Sequence, residues 1–244
     1  MSAQKPNSVA RAIVTAGATT DGIDDVRVIR LLTLVGSVDL HQLTHLEISN
    51  IFNGRFGYHI ACALAEQGVE TTLIGSKDTF SHGPLPPLVT RCQFKSFEDL
   101  SARIEEQVPA VKPTLIFMSA AVADYTPHRV SGKIASTKES LLVELFPNPK
   151  LIDRFRALSG EDCTIVGFKV LSGVADEVMD EYQTRQIARA KSDFCVGNDL
   201  AQCDFVRNVR KLRIRAANGE IWRMAGGAED LARRLTALIQ QTKG

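Results

Sequence analysis

Apolar and polar positions along the chain follow two periods, one typical of buried strands and one typical of amphipathic helices. Short apolar, β-branched runs predict strands, and apolar stripes that recur every three to four residues predict helices. The predicted strands lie at 10–16, 69–74, 91–94, 114–119, 141–146, 164–170 and 193–197. The predicted helices lie at 57–67, 97–108, 149–158, 176–191 and 227–242. This alternation predicts an α/β fold with a mostly parallel, doubly wound sheet and helices on both faces.

Local signals add detail at the ends of these elements. Ser96 is the predicted N-cap of its helix, with Asp99 in the N3 position of a loose capping box. Pro149 is predicted in the first turn of the next helix, and 78–88 is predicted to be a loop. Asn198-Asp199 is predicted to end a strand in a turn. Asn218-Gly219 lies between two alternating runs and predicts a C-terminal β-hairpin.

Composition narrows the class of protein. The chain has 244 residues, 44% hydrophobic and 23% charged, with a net charge of +1, which is the balance of a globular protein. That charge gives no sign of a basic surface for binding nucleic acid or an anionic membrane. No run of apolar residues is long enough to span a bilayer. The cysteines are odd in number and widely spaced, which argues against a disulfide framework or zinc site and for a reduced, cytoplasmic protein. We expect a frayed tail at 1–9 and a single domain at 10–244.

Candidate chemistry lies in segments that follow predicted strands, where α/β sheets bind ligands. Small residues at 17–20 can approach an anion or simply form a turn. Asn50 precedes a glycine-rich helix start. Its side chain can donate a hydrogen bond to a carbonyl or oxyanion, or the segment can be an ordinary capped start of a helix. Asp124 can accept from a base amine or ribose hydroxyl, hold a metal through water, or cap a turn. Lys133 has flexible flanks and is either a phosphate-neutralising lysine or a solvated one.

Other candidates are weaker. Phe168 can pack on a ligand base or in the core, and the basic run at 185–191 can contact phosphates or form a solvated helix face. His41 and His45 have metal-pair spacing, but a partner-contact helix is favoured, and Cys195 is predicted to be a core thiol. The chain has no G-x-G-x-x-G motif, which argues against a dinucleotide-dependent oxidoreductase.

Taken together and in order, these motifs resemble the phosphopantothenoylcysteine synthetase family. The most specific is 120–127 (AAVADYTP), followed by a lysine nine residues after its Asp. The other matching segments are 14–19 (VTAGAT), 23–27 (IDDVR), 48–50 (ISN), 133–134 (KI), 148–152 (NPKLI), 166–169 (VGFK) and 193–200 (DFCVGNDL). The resemblance covers nearly the whole chain and implies a modified Rossmann-like fold in a free-standing synthetase without flavin.

The resemblance also implies the reaction and its partners. CTP, or ATP as in eukaryotic members, activates the carboxylate of 4′-phosphopantothenate to an acyl-nucleotidylate and releases pyrophosphate. L-cysteine then attacks to give 4′-phosphopantothenoyl-L-cysteine, a step in coenzyme A biosynthesis. Mg²⁺ accompanies the triphosphate. The family is homodimeric, and the hairpin around Asn218-Gly219 is a candidate for an arm that crosses between subunits.

Site residues follow from the same resemblance. Asn50 corresponds to the catalytic Asn that polarises the acyl carbonyl, and Lys133 to the flap lysine that closes over the phosphates. The predicted nucleotide-binding residues are Gly17, Ala18, Thr19, Met118, Ser119, Ala120, Asp124, Pro149, Lys150, Leu151, Ile152, Phe168 and Lys191. The predicted acid-substrate residues are Arg27, Asn53, Gly54 and Arg55.

Departures from the family pattern leave alternatives open. The short spacing between the Arg and the catalytic Asn is expanded here by about 19 residues, at 29–47, treated as a loop insertion. Hydroxyl or imidazole donors after the Asn are replaced by Ile51, Phe52 and Asn53, and a basic residue after Lys133-Ile134 is lost. The alternatives are a diverged ligase for another carboxylate and a non-catalytic nucleotide-binding paralogue.

Overall fold

The chain is built from strands and helices in near-regular alternation. The computed structural model describes residues 10–23, 28–29, 52–134, 142–204 and 209–243. The strands are β1 (Arg11–Ala16), β2 (Asp21–Gly22), β3 (Val28–Ile29), β4 (Glu70–Ser76), β5 (Val89–Phe94), β6 (Leu115–Met118), β7 (Tyr125–Pro127), β8 (Leu145–Pro147), β9 (Thr164–Leu171), β10 (Phe194–Asp204), β11 (Val209–Ala216) and β12 (Ile221–Gly226). The α-helices are α1 (Arg55–Glu66), α2 (Phe97–Val111), α3 (Phe155–Ser159), α4 (Asp176–Ala190) and α5 (Ala228–Lys243).

The central sheet has the order β12-β11-β10-β9-β6-β1-β4-β5. The strands from β5 to β10 in that order pair in parallel, and β11 and β12 add an antiparallel hairpin at the β10 edge. The parallel part is a doubly wound, Rossmann-like arrangement whose chain order reverses between β1 and β6. The predicted fold class and the C-terminal hairpin are therefore confirmed.

Helices cover both faces of the sheet because alternate residues of each parallel strand are buried on opposite sides. On one face, Val14 and Phe117 pack with α1 and α5. On the other, Ile13 and Ile116 pack with α2 and α3. The buried, β-branched strands thus form the centre of two hydrophobic layers. None of the described helices is both long enough and apolar enough to cross a membrane.

Strand β10 continues past the turn that the sequence predicted. Asn198 and Asp199 are buried within it, and the strand ends at Asp204, with a register shift against β11 between Asn198 and Cys203. The Asp199 carboxylate accepts hydrogen bonds from the backbone N–H of Gly173 (2.8 Å) and Ala201 (3.0 Å). The Asp199 carboxylate therefore links the loop after β9 to β10 and does not end the strand in a turn. The prediction that the strand ends at Asn198-Asp199 was wrong.

Helix starts agree with the sequence in part. Ser96 caps α2 by accepting from the N–H of Asp99 at 3.1 Å, as predicted, but the Asp99 carboxylate accepts from the N–H of Lys95 and does not complete a capping box. Pro149 is not in a first helical turn: Lys150 is the N-cap of a 3-10 turn, Leu151–Arg154, that leads into α3. The predicted loop at 78–88 contains a 3-10 turn, Lys77–Ser81. The tail at 1–9 and positions 30–47 of the insertion lie outside the described residues.

Candidate functional site

A cleft of 1020 Å³ opens at the carboxyl ends of the parallel strands. Its floor is formed by the residues that follow β1 and β6, where the strand order reverses, and it extends across the ends of β9 and β10. The start of α1 lies on one side and an exposed face of α4 on the other. This is the position at which open α/β sheets bind ligands.

Hydrogen bonds hold together the two loops of the cleft floor. Ala121 donates its N–H to the carbonyl of Gly17 at 2.8 Å, and Thr19 donates its N–H to the carbonyl of Ala121 at 3.2 Å. The Ser119 hydroxyl donates to the carbonyl of Thr15 at 2.7 Å. Because these residues are small and their backbone groups bond to one another, the floor is open and is held in place by hydrogen bonds.

The start of α1 is pressed against the end of β1 at Gly54. Gly54 has φ +82°, and a Cβ at this position would lie 2.0 Å from Thr79 Oγ1 and 2.9 Å from the backbone N of Gly17. The Thr79 hydroxyl donates to the carbonyl of Ala16 at 3.1 Å. Only glycine fits both this conformation and this contact, so Gly54 brings the N-terminus of α1 to the cleft.

Asp124 is held at the rim by its neighbours. Asn148 donates its side-chain amide to the carbonyl of Ala123 (2.9 Å) and its N–H to the carbonyl of Asp124 (2.8 Å). Lys150 forms an ion pair with the Asp124 carboxylate. The side chain of Lys150 is 45% exposed and that of Asp124 61% exposed, so both are accessible to a ligand.

The cleft is strongly cationic. Among the described lining residues the only carboxylate is that of Asp124, against these basic side chains: Arg55, Lys150, Lys169, Arg185, Arg189 and Arg210. Arg185 pairs with Glu181 and Arg189 with Asp153 at 3.0 Å, which offsets part of the charge. The whole chain has a net charge of only +1, so the excess of positive charge in the cleft is a local feature. It suits a polyanionic ligand.

The sheet divides the cleft into two lobes. On the face of α4, the Lys169 ammonium lies over the Tyr182 ring, 4.9 Å from its centroid. On the face of α1, the neighbouring residue Phe168 packs edge-on against Phe56, with centroids 6.2 Å apart. Successive strand residues point to opposite faces, so β9 contributes to both. We call these the α4-side lobe, with Lys150, Arg185 and Arg189, and the α1-side lobe, with Arg55, Phe56, Phe168 and Arg210.

Most of the predicted site residues that the structure describes line this cleft. They are Gly17, Asn53, Gly54, Arg55, Met118, Ser119, Ala120, Asp124, Pro149, Lys150, Leu151, Ile152 and Phe168. They come from segments that are far apart in sequence and meet because the parallel strands end at one edge.

Other predicted residues are placed elsewhere or not described. Ala18 bridges to Ala121, and Thr19 is buried, its hydroxyl accepting from the N–H of Ala123. Lys191 ends α4 in the left-handed region and is not among the lining residues. Lys133 is exposed in the loop after β7, also outside the lining. Asn50 and Arg27 lie outside the described residues, as do His41 and His45.

The sequence reasoning missed Tyr182, Gln186 and Arg210. The buried Gln186 Nε2 has no hydrogen-bond partner among the residues that the structure describes, and a Cβ on Gly167 would lie 2.2 Å from it. Arg210 is the second residue of β11, and no spacing in the sequence connects it to the cleft. The basic run at 185–191 was an available signal for Gln186, which lies within it and packs against Gly167 of β9.

The described side chains form neither a metal-binding cluster nor an activated thiol at Cys195. Among the described residues no group of three or more His, Cys, Asp or Glu side chains is arranged to hold a metal ion. Burial raises the pKa of the Cys195 thiol to about 12, as expected for a core thiol that is not a nucleophile.

The family profile and the individual relatives that match this sequence point to the same family. The profile of the family described as the DNA/pantothenate metabolism flavoprotein C-terminal domain matches residues 47–242. The coenzyme A biosynthesis bifunctional protein CoaBC of Thermococcus kodakarensis is 30% identical over 191 residues, covering 78% of this chain and 41% of the relative. CoaBC of Methanocaldococcus jannaschii is 23% identical, covering 95% of this chain and 50% of the relative. The chain thus spans half or less of these relatives.

Solved structures show the same fold. The DNA/pantothenate metabolism flavoprotein from Streptococcus pneumoniae superposes with a TM-score of 0.77 at 22% identity, covering 96% of this chain and all of that one (100%). A Cab2 mutant in complex with phosphopantothenate-cysteine superposes with a TM-score of 0.69 at 16% identity, covering 96% of this chain and 89% of that one. The fold predicted from the sequence is therefore shared with both.

Proposed function

Because the chain belongs to the family of the DNA/pantothenate metabolism flavoprotein C-terminal domain, we propose that it is a phosphopantothenate–cysteine ligase. The observation that carries the proposal is the cationic cleft, whose two lobes meet above Gly17 and Ala120 at the reversal of the strand order. A reaction between an anionic acid and a nucleoside triphosphate needs two adjacent anion-binding regions with a rigid floor between them.

In the first step, a carboxylate oxygen of 4′-phosphopantothenate attacks the α-phosphorus of the triphosphate. The bond from the α-phosphorus to the bridging oxygen breaks, and pyrophosphate leaves. The α4-side lobe, with Lys150, Arg185 and Arg189, supports binding of the phosphates. The 3-10 turn that begins at Leu151 places backbone N–H groups beside the same lobe, where they suit a base or phosphate.

In the second step, the amine of L-cysteine attacks the acyl carbon, and the bond from that carbon to the phosphate oxygen breaks. Nucleoside monophosphate leaves and the amine loses a proton. We assign polarisation of the acyl carbonyl to Asn50 and charge neutralisation over the phosphates to Lys133, on the resemblance described above. Lys133 is at a solvent-exposed loop, which suits a group that moves over bound nucleotide.

The nucleotide in this proposal is CTP or ATP, bound with Mg²⁺. Mg²⁺ prefers oxygen ligands and keeps several waters, so triphosphate oxygens and water together would supply most of its coordination. Asp124 is the one carboxylate among the described lining residues and fits a contact through water. When bound, the ion reduces the negative charge that the attacking carboxylate meets.

The assembly in this proposal is a cytoplasmic homodimer. The structure describes all five cysteines and none of them is in a disulfide bond, which suits a reducing compartment. Size-exclusion chromatography with light scattering tests the dimer, for which a mass of twice 26.7 kDa is expected. A monomer that is fully active would contradict this part of the proposal.

An isotope experiment tests the reaction itself. With 4′-phosphopantothenate carrying oxygen-18 in its carboxylate, we expect label in the CMP or AMP released, since one carboxylate oxygen stays on the α-phosphorus. Label in inorganic phosphate, together with a nucleoside diphosphate, would instead show an acyl-phosphate mechanism. A different acid that transfers label while 4′-phosphopantothenate does not would identify a diverged ligase.

A further inference from the structure

Arg210 is a partly buried cation of the α1-side lobe. Its guanidinium carbon lies 4.3 Å from the centroid of the Phe56 ring, and Phe56 contacts Phe168 edge-on. Burial lowers the pKa of Arg210, and the nearby Cys203 thiol counteracts this in part. Two elements far apart in sequence, β11 and α1, therefore hold this charge over an aromatic surface.

No carboxylate pairs with Arg210 among the residues that the structure describes. The other arginines of β11 differ in this respect, because Arg213 and Arg215 both pair with Asp180. A partly desolvated guanidinium is costly without an anionic partner, and a ring face offsets only part of that cost. Arg210 also lines the cleft, so an anion entering the α1-side lobe can reach it.

The position of Arg210 distinguishes between the two anionic groups of the acid substrate. The reacting carboxylate must lie above the floor at Gly17 and Ala120, beside the triphosphate. Arg210 is on β11, three strands away from β6 in the sheet, which is about 14 Å at the usual strand spacing. Its backbone is therefore at the far end of the α1-side lobe, and its guanidinium extends from there over Phe56, within reach of the opposite end of an extended acid.

We propose that Arg210, held on the ring of Phe56, binds the phosphate of the acid substrate and makes the enzyme selective for a phosphorylated acid. This inference rests on the proposed ligase function. A planar guanidinium can donate two parallel hydrogen bonds to a phosphate, and stacking on Phe56 fixes its orientation before the substrate arrives. The phosphate supplies the charge partner that the described residues do not.

The test compares two acids, 4′-phosphopantothenate and pantothenate, in wild type and in Arg210→Met. For the phosphorylated acid, we expect kcat/KM to fall about 10- to 100-fold, the range for a lost charge-assisted contact. For pantothenate, which has no phosphate, we expect kcat/KM to stay within about 2-fold, and the KM for nucleotide not to change. Arg210→Lys should be intermediate, because an ammonium does not form the bidentate contact.

Arg91→Met is the matched control. Arg91 also lies over a phenylalanine, with 4.2 Å from its guanidinium carbon to the Phe80 centroid, but it is on β5 and does not line the cleft. This variant should behave as wild type with both acids. Circular dichroism and thermal unfolding of each variant show whether the fold is retained.

The outcomes separate this inference from the proposed function. Equal losses with both acids, or no loss with either, in a folded Arg210→Met would overturn the role of Arg210 while the ligase function stands. A wild-type protein that neither releases pyrophosphate with 4′-phosphopantothenate nor binds it by calorimetry would overturn the ligase function, and this inference with it. Arg210-dependent binding without turnover would support the phosphate contact and contradict the catalytic proposal.

Discussion

Substitution of Gly54 by alanine tests the packing that forms the cleft. Gly54 adopts φ +82°, and an added Cβ would lie 2.0 Å from Thr79 Oγ1. Gly68 provides a matched control, because it has φ +78° but no atom of the described part of the chain lies within 4 Å of the corresponding Cβ position. Gly68→Ala therefore measures the backbone strain alone, and Gly54→Ala measures the strain together with the clash.

The magnitudes follow from these two contributions. A left-handed conformation costs a non-glycine residue roughly 1–2 kcal/mol, which is the expected loss for Gly68→Ala. Overpacking adds about 1–3 kcal/mol, so Gly54→Ala should lose about 2–5 kcal/mol. Part of the clash is with the backbone N of Gly17, at 2.9 Å, which cannot rotate away. The strain must therefore reach the cleft floor and weaken nucleotide binding as well.

Urea denaturation with a common m-value measures the stability, and nucleotide titration measures the effect on the cleft. Adding Thr79→Ala to Gly54→Ala removes the nearest clashing atom, so the double variant should lose less than the sum of the two single losses. A Gly54→Ala protein that is no less stable than Gly68→Ala, with unchanged nucleotide binding, would refute the close contact between α1 and the end of β1.

Three further predictions concern charged side chains. Lys150→Met should raise the KM for nucleotide about 10-fold, in a salt-dependent manner, while changing the stability by less than about 1 kcal/mol because its pair with Asp124 is exposed; a large fall in melting temperature with unchanged kinetics would contradict this. Arg156→Met should cost about 3–5 kcal/mol of unfolding free energy, since this buried guanidinium binds backbone carbonyls and the Asp193 carboxylate at 2.8 Å; a shift of the urea midpoint that corresponds to under 1 kcal/mol would refute it. Burial raises the pKa of Asp199, but N–H groups such as that of Gly173 outweigh it and lower the pKa overall. A lowered pKa gives stability that is present above the unfolded value near 3.9 and lost as the pH falls through the folded value, so Asp199→Asn should flatten the decline in stability below about pH 4, and an unaltered acid profile would contradict this.

The regular elements were predictable because their signals are local. The run at 10–16 is apolar and β-branched, and its alternate residues are buried on both faces in β1. Asn218-Gly219 fixes the turn between β11 and β12. The cleft floor was also predictable in outline, because parallel strands bring their carboxyl ends to one edge.

The sequence failed where a distant contact determines the structure. Asp199 carries a turn signal, but its carboxylate is used by the loop at Gly173, so β10 continues. Lys191, which was predicted to bind nucleotide, lies beyond the end of α4 and outside the described cleft lining, whereas Arg189 of the same basic run lines the cleft; the role of Lys191 stays a prediction. Arg210 lines the cleft with its guanidinium over the ring of Phe56, a contact between residues in different halves of the chain.

Pyrophosphate release tests the central claim most directly. The protein is assayed with Mg²⁺ and either CTP or ATP, with and without 4′-phosphopantothenate and L-cysteine. We expect pyrophosphate release that depends on 4′-phosphopantothenate, with CMP or AMP formed in equal amount, and sustained turnover when cysteine is added. A folded protein that binds nucleotide but releases no pyrophosphate with either triphosphate would contradict it.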